Sequence, residues 1–168
     1  MALRGNQTLQ LLRETCAGTG RLEWIGLRPG HRAMIEPVRS ATLITGQGLE
    51  GDHSSQGNAG GKRQVTLIQS EHLPVIAGLC NLPSLDPALL RRNLVISGVN
   101  LQALKNALFM IGETILRGTG ACHPCSRMEE ALGCGGYNAV RGHGGITAAV
   151  IRGGRIDIGA MVELLDSG

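Results

Sequence analysis

The residues best equipped for covalent chemistry lie in one short stretch, Cys122-His123-Pro124-Cys125-Ser126-Arg127. Cysteines at this spacing hold a metal, exchange disulfides, or present one reactive thiolate. For zinc, Cys122 and Cys125 form half of a structural site that Cys134 and His143 would have to complete. The spacing of that second half is irregular, with no matching knuckle. For disulfide exchange, a thioredoxin-type pair opens a long helix in a βαβ setting, which is missing around these residues. A local Cys122–Cys125 disulfide stays open, as a redox function or a protective state. For the third reading, Pro124 fixes a helix-compatible φ and puts Cys125 in the first turn of a short helix through Met128 and Leu132. Unpaired N–H groups and the helix dipole favour negative charge there, as do Arg127 and His123, with Glu129 and Glu130 partly opposing. A nucleophilic or metal-ligating Cys125 is the favoured reading, set against a small buried hydrophobe. Cys16 and Cys80 fall near the ends of predicted helices and read as core or partly buried thiols.

The elements that must position this stretch are mostly short strands. Patterning predicts a helix over 6–16 capped by Asn6, then strands over 22–27, 33–38, 41–45 and 64–68. Residues 46–63 form a glycine-rich connection longer than usual, which makes it functional or mobile. A helix follows from about Ser70 to Leu79, and Asp86-Pro87 reads as an N-cap with proline at the first helical position. Strands are expected over 93–97 and 161–165, with one or two more over 108–118 broken at Gly112. Segments 146–151 and 155–158, flanking Gly153-Gly154, read as a hairpin. About eight short strands and brief helices predict a mainly β fold, a distorted closed or nearly closed β-barrel with a few short peripheral helices. The βαβ alternation of a doubly wound sheet is not expected.

The chain has 168 residues, which suits one domain spanning 1–168, with 1–20 as an N-terminal helical extension. Hydrophobic residues make up 42% and aromatics only 2%, so the core must be aliphatic. Glycine, at 26 residues, signals many tight turns. The net charge of +3 comes without a basic block or interleaved aromatics, so no nucleic-acid partner is expected. No apolar run is long enough for a membrane span, and no secretory h-region is evident. Five cysteines, an odd number, argue against a secreted disulfide framework and for a cytoplasmic location.

Four segments in order carry a resemblance: Gly48-Leu49-Glu50-Gly51-Asp52, Lys62-Arg63-Gln64-Val65-Thr66-Leu67, Asn93-Leu94-Val95, and His123-Pro124-Cys125-Ser126-Arg127-Met128. Together they resemble the MOSC domain, the family named for the C-terminal domain of molybdenum cofactor sulfurases. The match covers roughly 20–165, and Arg141-Gly142-His143-Gly144-Gly145-Ile146-Thr147 looks like the small stand-alone bacterial branch. The resemblance implies a distorted β-barrel and a cysteine, here Cys125, that carries sulfur as a persulfide or ligates the molybdenum of a bound molybdopterin. Two departures stand out. The family often has Gly-Asp-Arg-His where Asp52 is here followed directly by His53, and Glu-Asn-Leu where this chain has Arg92-Asn93-Leu94.

The resemblance carries a role to Cys125 alone; the charged and polar residues read around it as cofactor-binding candidates are Lys62, Arg63, Asp52, Asn93, Arg127, Arg141 and His143. Lys62 and Arg63 could supply the missing arginine's charge, with backbone amides of the 46–63 loop approaching an oxyanion. Arg127 and Arg141 are further anion contacts, and His143 a proton donor or ligand. Each has an ordinary alternative: a plain turn, a solvated arginine, or, for Asp52 and Asn93, a turn cap. The pyridoxal phosphate domain of the sulfurases has no place in this chain. Sulfur would therefore come from a donor such as a cysteine desulfurase and pass to a cofactor or metal-centre acceptor enzyme. The competing expectation is a non-catalytic molybdopterin-binding or adaptor module.

Overall fold

The computed structural model describes residues 5–57 and 59–165. In chain order the elements are α1 (Gly5–Glu14), β1 (Gly20–Leu27), β2 (Glu36–Val38), β3 (Ser40–Ile44) and β4 (Gly48–Leu49). A 3-10 turn (His53–Gln56), β5 (Val65–Gln69), α2 (His72–Leu79), a second 3-10 turn (Pro87–Leu90), β6 (Leu94–Ser97) and α3 (Leu101–Leu104) follow. The chain continues through β7 (Leu108–Ile111), β8 (Thr114–Ala121), α4 (Ser126–Leu132), α5 (Gly136–Val140), β9 (Ile146–Arg152), β10 (Gly154–Asp157) and β11 (Met161–Leu164).

Seven strands close a barrel in the order β1-β11-β7-β8-β9-β5-β6, returning to β1. The seam is the β1–β11 pairing, Gly20 opposite Val162 and Arg21 opposite Met161. The far half of β1 carries β2 instead. The expected mainly β barrel with short helices is therefore the architecture. Its interior is aliphatic apart from one ring, Phe109, packed with residues such as Leu22, Leu67, Leu94 and Leu116. A second cluster lies under the helices and joins Ile68, Ile76, Leu90, Met128 and Val140. All five residues of β5 are buried, because the barrel fills one of its faces and the helical layer covers the other. Among the described residues, no helix is long and apolar enough to cross a membrane.

Several local expectations meet the structure closely. Asp86 caps the second 3-10 turn by accepting from Ala88 N, with Pro87 next in line. Gly112, at φ +57°, turns β7 into β8. The helix placed from about Ser70 to Leu79 spans His72–Leu79, with Pro74 in its first turn. The first helix begins at Gly5, one residue before Asn6, whose side chain lies outside the described residues, as does Asn58 of the long connection.

Other expectations need correction. Residues 146–151 and 155–158 are not a hairpin: β9 pairs with β8 and β5, while β10 pairs with β3 in a separate three-stranded sheet. Gly153 is the reason. Its N–H donates to Thr45 Oγ1, and a side chain there would meet the Leu43 carbonyl, so the chain passes close against β3 and leaves the barrel. The strand expected over 33–38 is only Glu36–Val38. One βαβ unit does occur, since β5 and β6 are parallel with α2 and a 3-10 turn between them.

Candidate functional site

Strand β8 delivers the cysteine segment. Its pairing with β9 shifts register between Gly118 and Gly120, an irregularity of the sort that re-aims a strand end. The next residue after the strand, Cys122, is buried, and its N–H donates to Gly145 O at 2.9 Å. Cys125 is the N-cap of α4, with extended φ −122° and ψ 172°, and its carbonyl accepts from Met128 N. Pro124 therefore precedes the cap rather than opening the helix, because the chain stays extended through the cap residue. All five cysteines are free thiols; Cys122 is buried while Cys125 and Cys134 are exposed.

Cys125 lies on the wall of a cavity of about 260 Å3. Arg28, Arg63, Arg91 and Arg92 line the same cavity, together with Asp52 and Asn93. The 3-10 turn capped by Asp86 ends at Arg91 in the left-handed region, φ +57°. This turn brings two consecutive arginines to the start of β6. Arg91 Nη2 is buried without a hydrogen-bond partner. Partial burial lowers the Arg91 value, Arg28 and Arg127 lower it further, and Cys125 pulls the other way. Arg92 is 2% exposed. Its guanidinium donates to Gly144 O at 2.8 Å and Leu90 O at 2.9 Å, and at longer range to Cys122 O and His123 O.

Asp52, also 2% exposed, carries the carboxylate on the cavity wall. Its oxygens accept from Arg28 N at 2.8 Å, Ser54 N at 3.0 Å and Asn93 Nδ2 at 3.2 Å, and also from Ser54 Oγ. Asn93 Oδ1 accepts from the N–H and the hydroxyl of Thr66, and Nδ2 also donates to Gly26 O. These two residues knit the ends of β1, β5 and β6 to the 46–63 segment, so a wall of the cavity is a satisfied polar network.

The remaining candidates spread out. Lys62 has an exposed side chain, and its carbonyl accepts from Thr119 Oγ1. Arg63 reaches the cavity. Arg127, half-buried on α4, is near enough for its charge to bear on Arg91 and on His31. Arg141 is exposed and donates to Asn138 Oδ1 at 3.1 Å. His143 stands edge-on to His72 with centroids 5.1 Å apart, and its Nδ1 is buried without a partner. Neither Arg141 nor His143 lines the cavity with Cys125.

Among the described residues, no three His, Cys, Asp or Glu side chains are grouped to hold a metal. The four-ligand zinc arrangement of Cys122, Cys125, Cys134 and His143 is therefore not assembled. Arg28 and Arg91 escape a sequence reading because each sits outside the motif it serves. The Arg91-Arg92 pair just before Asn93 was the available signal.

A family model described as the MOSC domain matches residues 52–163. The chain belongs to the MOSC domain family. Its fold is similar to that of the YuaD protein from Bacillus subtilis, with a TM-score of 0.76 at 20% identity, covering 89% of this chain and 98% of that one. YiiM from Escherichia coli is similar at a TM-score of 0.66 and 20% identity, covering 88% and 71%. YiiM from Geobacillus stearothermophilus gives 0.67 and 16%, covering 89% and 76%. No curated protein sequence matches the chain. At these identities the structural likeness speaks for the fold alone.

Proposed function

We propose that this MOSC domain handles sulfur on Cys125 beside a bound anion, with the molybdenum cofactor as the group held in the arginine-lined cavity. The observation that carries the reading is Arg91 Nη2, buried without a partner in the cavity that also exposes the Cys125 thiol. An unpaired buried guanidinium nitrogen is costly unless an acceptor reaches it. Asp52 spends its carboxylate on backbone, amide and hydroxyl donors, so a bound anion would supply the acceptor that Arg91 Nη2 lacks.

The residues fit such a group. Arg28, Arg63, Arg91 and Arg92 would hold its anionic end, and a cysteine sulfur is a soft ligand suited to molybdenum. When bound, the cofactor supplies a redox-active metal with sulfur ligands. The protein's own part begins with loading. The Cys125 thiolate attacks the outer sulfur of a donor enzyme's persulfide, an S–S bond forms on Cys125, and the donor's cysteine leaves as its thiolate. No net oxidation occurs, and no co-reactant is needed. The thiols are all unpaired, which suits a reducing compartment such as the cytoplasm.

The test is intact mass spectrometry after incubation with a cysteine desulfurase and cysteine. The wild-type protein is expected to gain the mass of one sulfur, about 32 Da, reversible with a thiol reductant, while Cys125→Ser gains nothing. A folded Cys125→Ser variant that loads sulfur equally removes Cys125 from the chemistry. A Cys125→Ser variant that keeps full function without loading would instead mark a binding or adaptor module.

A further inference from the structure

Arg92 presents an unusual charge arrangement. It is 2% exposed, and among the described residues it forms no ion pair. The donors of its guanidinium go to four backbone carbonyls, those of Leu90, Cys122, His123 and Gly144. Carbonyl oxygens satisfy hydrogen bonds but cancel no charge, and a buried cation without a counter-charge is costly. Asp52, the carboxylate on the same cavity wall, is bound elsewhere. Two of the four carbonyls belong to the segment that ends in Cys125, and a third, Gly144, sits beside Gly145, which accepts from Cys122 N. The guanidinium therefore fixes the backbone leading to the thiol, and Arg92 is among the residues that line the thiol's own cavity.

We infer that Arg92 is the positioning residue that makes Cys125 selective for anionic reactants, holding the 122–125 segment by its carbonyls and leaving one uncancelled positive charge behind the sulfur. This rests on Cys125 being the working thiol. The groups that bear on Arg92 agree: burial lowers its value first, Cys122 and Cys125 oppose that, and Arg63 adds repulsion. Lysine could supply the charge but not the planar fork that reaches carbonyls on three sides.

Alkylation of the whole protein by iodoacetate and by iodoacetamide tests this, with sites quantified by peptide mass spectrometry. The reagents differ in charge, and exposed Cys134 serves as the internal reference. The iodoacetate-to-iodoacetamide ratio at Cys125 is expected to exceed that at Cys134 by about fivefold at low salt. Arg92→Met should lower the Cys125 ratio about twofold toward that of Cys134, the charges of Arg28, Arg63 and Arg91 remaining, and Arg92→Lys should restore part of it. A purely structural Arg92 would change both reagents' rates together and leave the ratio unmoved. If Arg92→Met does not fold, Arg92→Gln keeps an amide donor without charge and is expected to show the same fall. Equal ratios at Cys125 and Cys134 in the wild type overturn the inference without any variant, as does an unchanged ratio in a folded neutral variant. Selectivity without sulfur loading overturns the sulfur reading and leaves Arg92's role standing. Loading without selectivity does the reverse.

Discussion

Asp52 shows how a residue of the cavity wall can be structural and chemical at once. It is the N-cap of the His53–Gln56 turn and the acceptor for Arg28 N and Asn93 Nδ2. Removing the carboxylate strands several buried donors, so Asp52→Ala should lower stability by about 3 kcal/mol, read as the urea midpoint. Asp52→Asn keeps one accepting oxygen, though its NH2 then faces donors at the other position, and should lose less than Asp52→Ala. Equal losses in the two variants would show that the acceptor network is not what Asp52 contributes. At this scale the sequence was only partly readable. Asp52 and Asn93 were visible as polar members of motifs, and Cys125 as a thiol at a helix start. Their dependence on each other was not, since the partners are 41 residues apart in the chain. Arg28 was invisible for the same reason, and Arg91 was signalled only by its place beside Arg92 and Asn93. An arginine beyond a motif looks like solvated surface until the fold brings four of them to one cavity.

The elements were readable where one residue type dictates a local shape, as Asp86-Pro87 and Gly112 do. They were not readable where two elements compete for a partner. The Gly153-Gly154 pair carries a hairpin's chemistry, yet β9 already has β8 and β5 as neighbours, and β10 is left for β3. The connection from α5 to β9 offers a direct test of crowding against conformation. Gly142 and Gly145 both have positive φ, +79° and +85°. A side chain at Gly142 meets nothing, whereas one at Gly145 would run into the Leu67 carbonyl. Gly142→Ala should cost about 1 kcal/mol from backbone strain alone. Gly145→Ala should cost about 3 kcal/mol or more, because strand β5 must also move. It should also loosen the Cys122 N–H held by Gly145 O, which hydrogen exchange would detect as faster exchange at Cys122. Similar unfolding midpoints for both variants would contradict this account of the connection.

Over the whole molecule, acid should act through the helical layer outside the barrel. The His72 value is lowered by burial and by facing His143, with Glu71 pulling weakly upward. The Glu71 value is also lowered: burial would raise it, but hydrogen bonds from Gln69 and from Gly98 N prevail. For both groups the unfolded chain binds protons more readily than the fold does, so each contributes stability that is lost as pH falls. The His72 contribution is present above about pH 6.5 and fades below it, and that of Glu71 fades below about 4.5. The melting temperature should therefore fall in two stages on acidification, and His72→Gln should flatten the upper one. A flat melting profile between pH 7 and 5 in the wild type would refute this. The barrel's seam has a different consequence, for a chain that emerges vectorially during translation. Strand β1 appears early, but its seam partner β11 is the last of the described strands to appear, and only two residue pairs join them. Until 161–164 clear the ribosome, β1 and β7 both lack their β11 partner, and the interior around Phe109 has no closing wall. A stalled or truncated product lacking β11 would expose two adhesive strand edges to the chaperones of the cell.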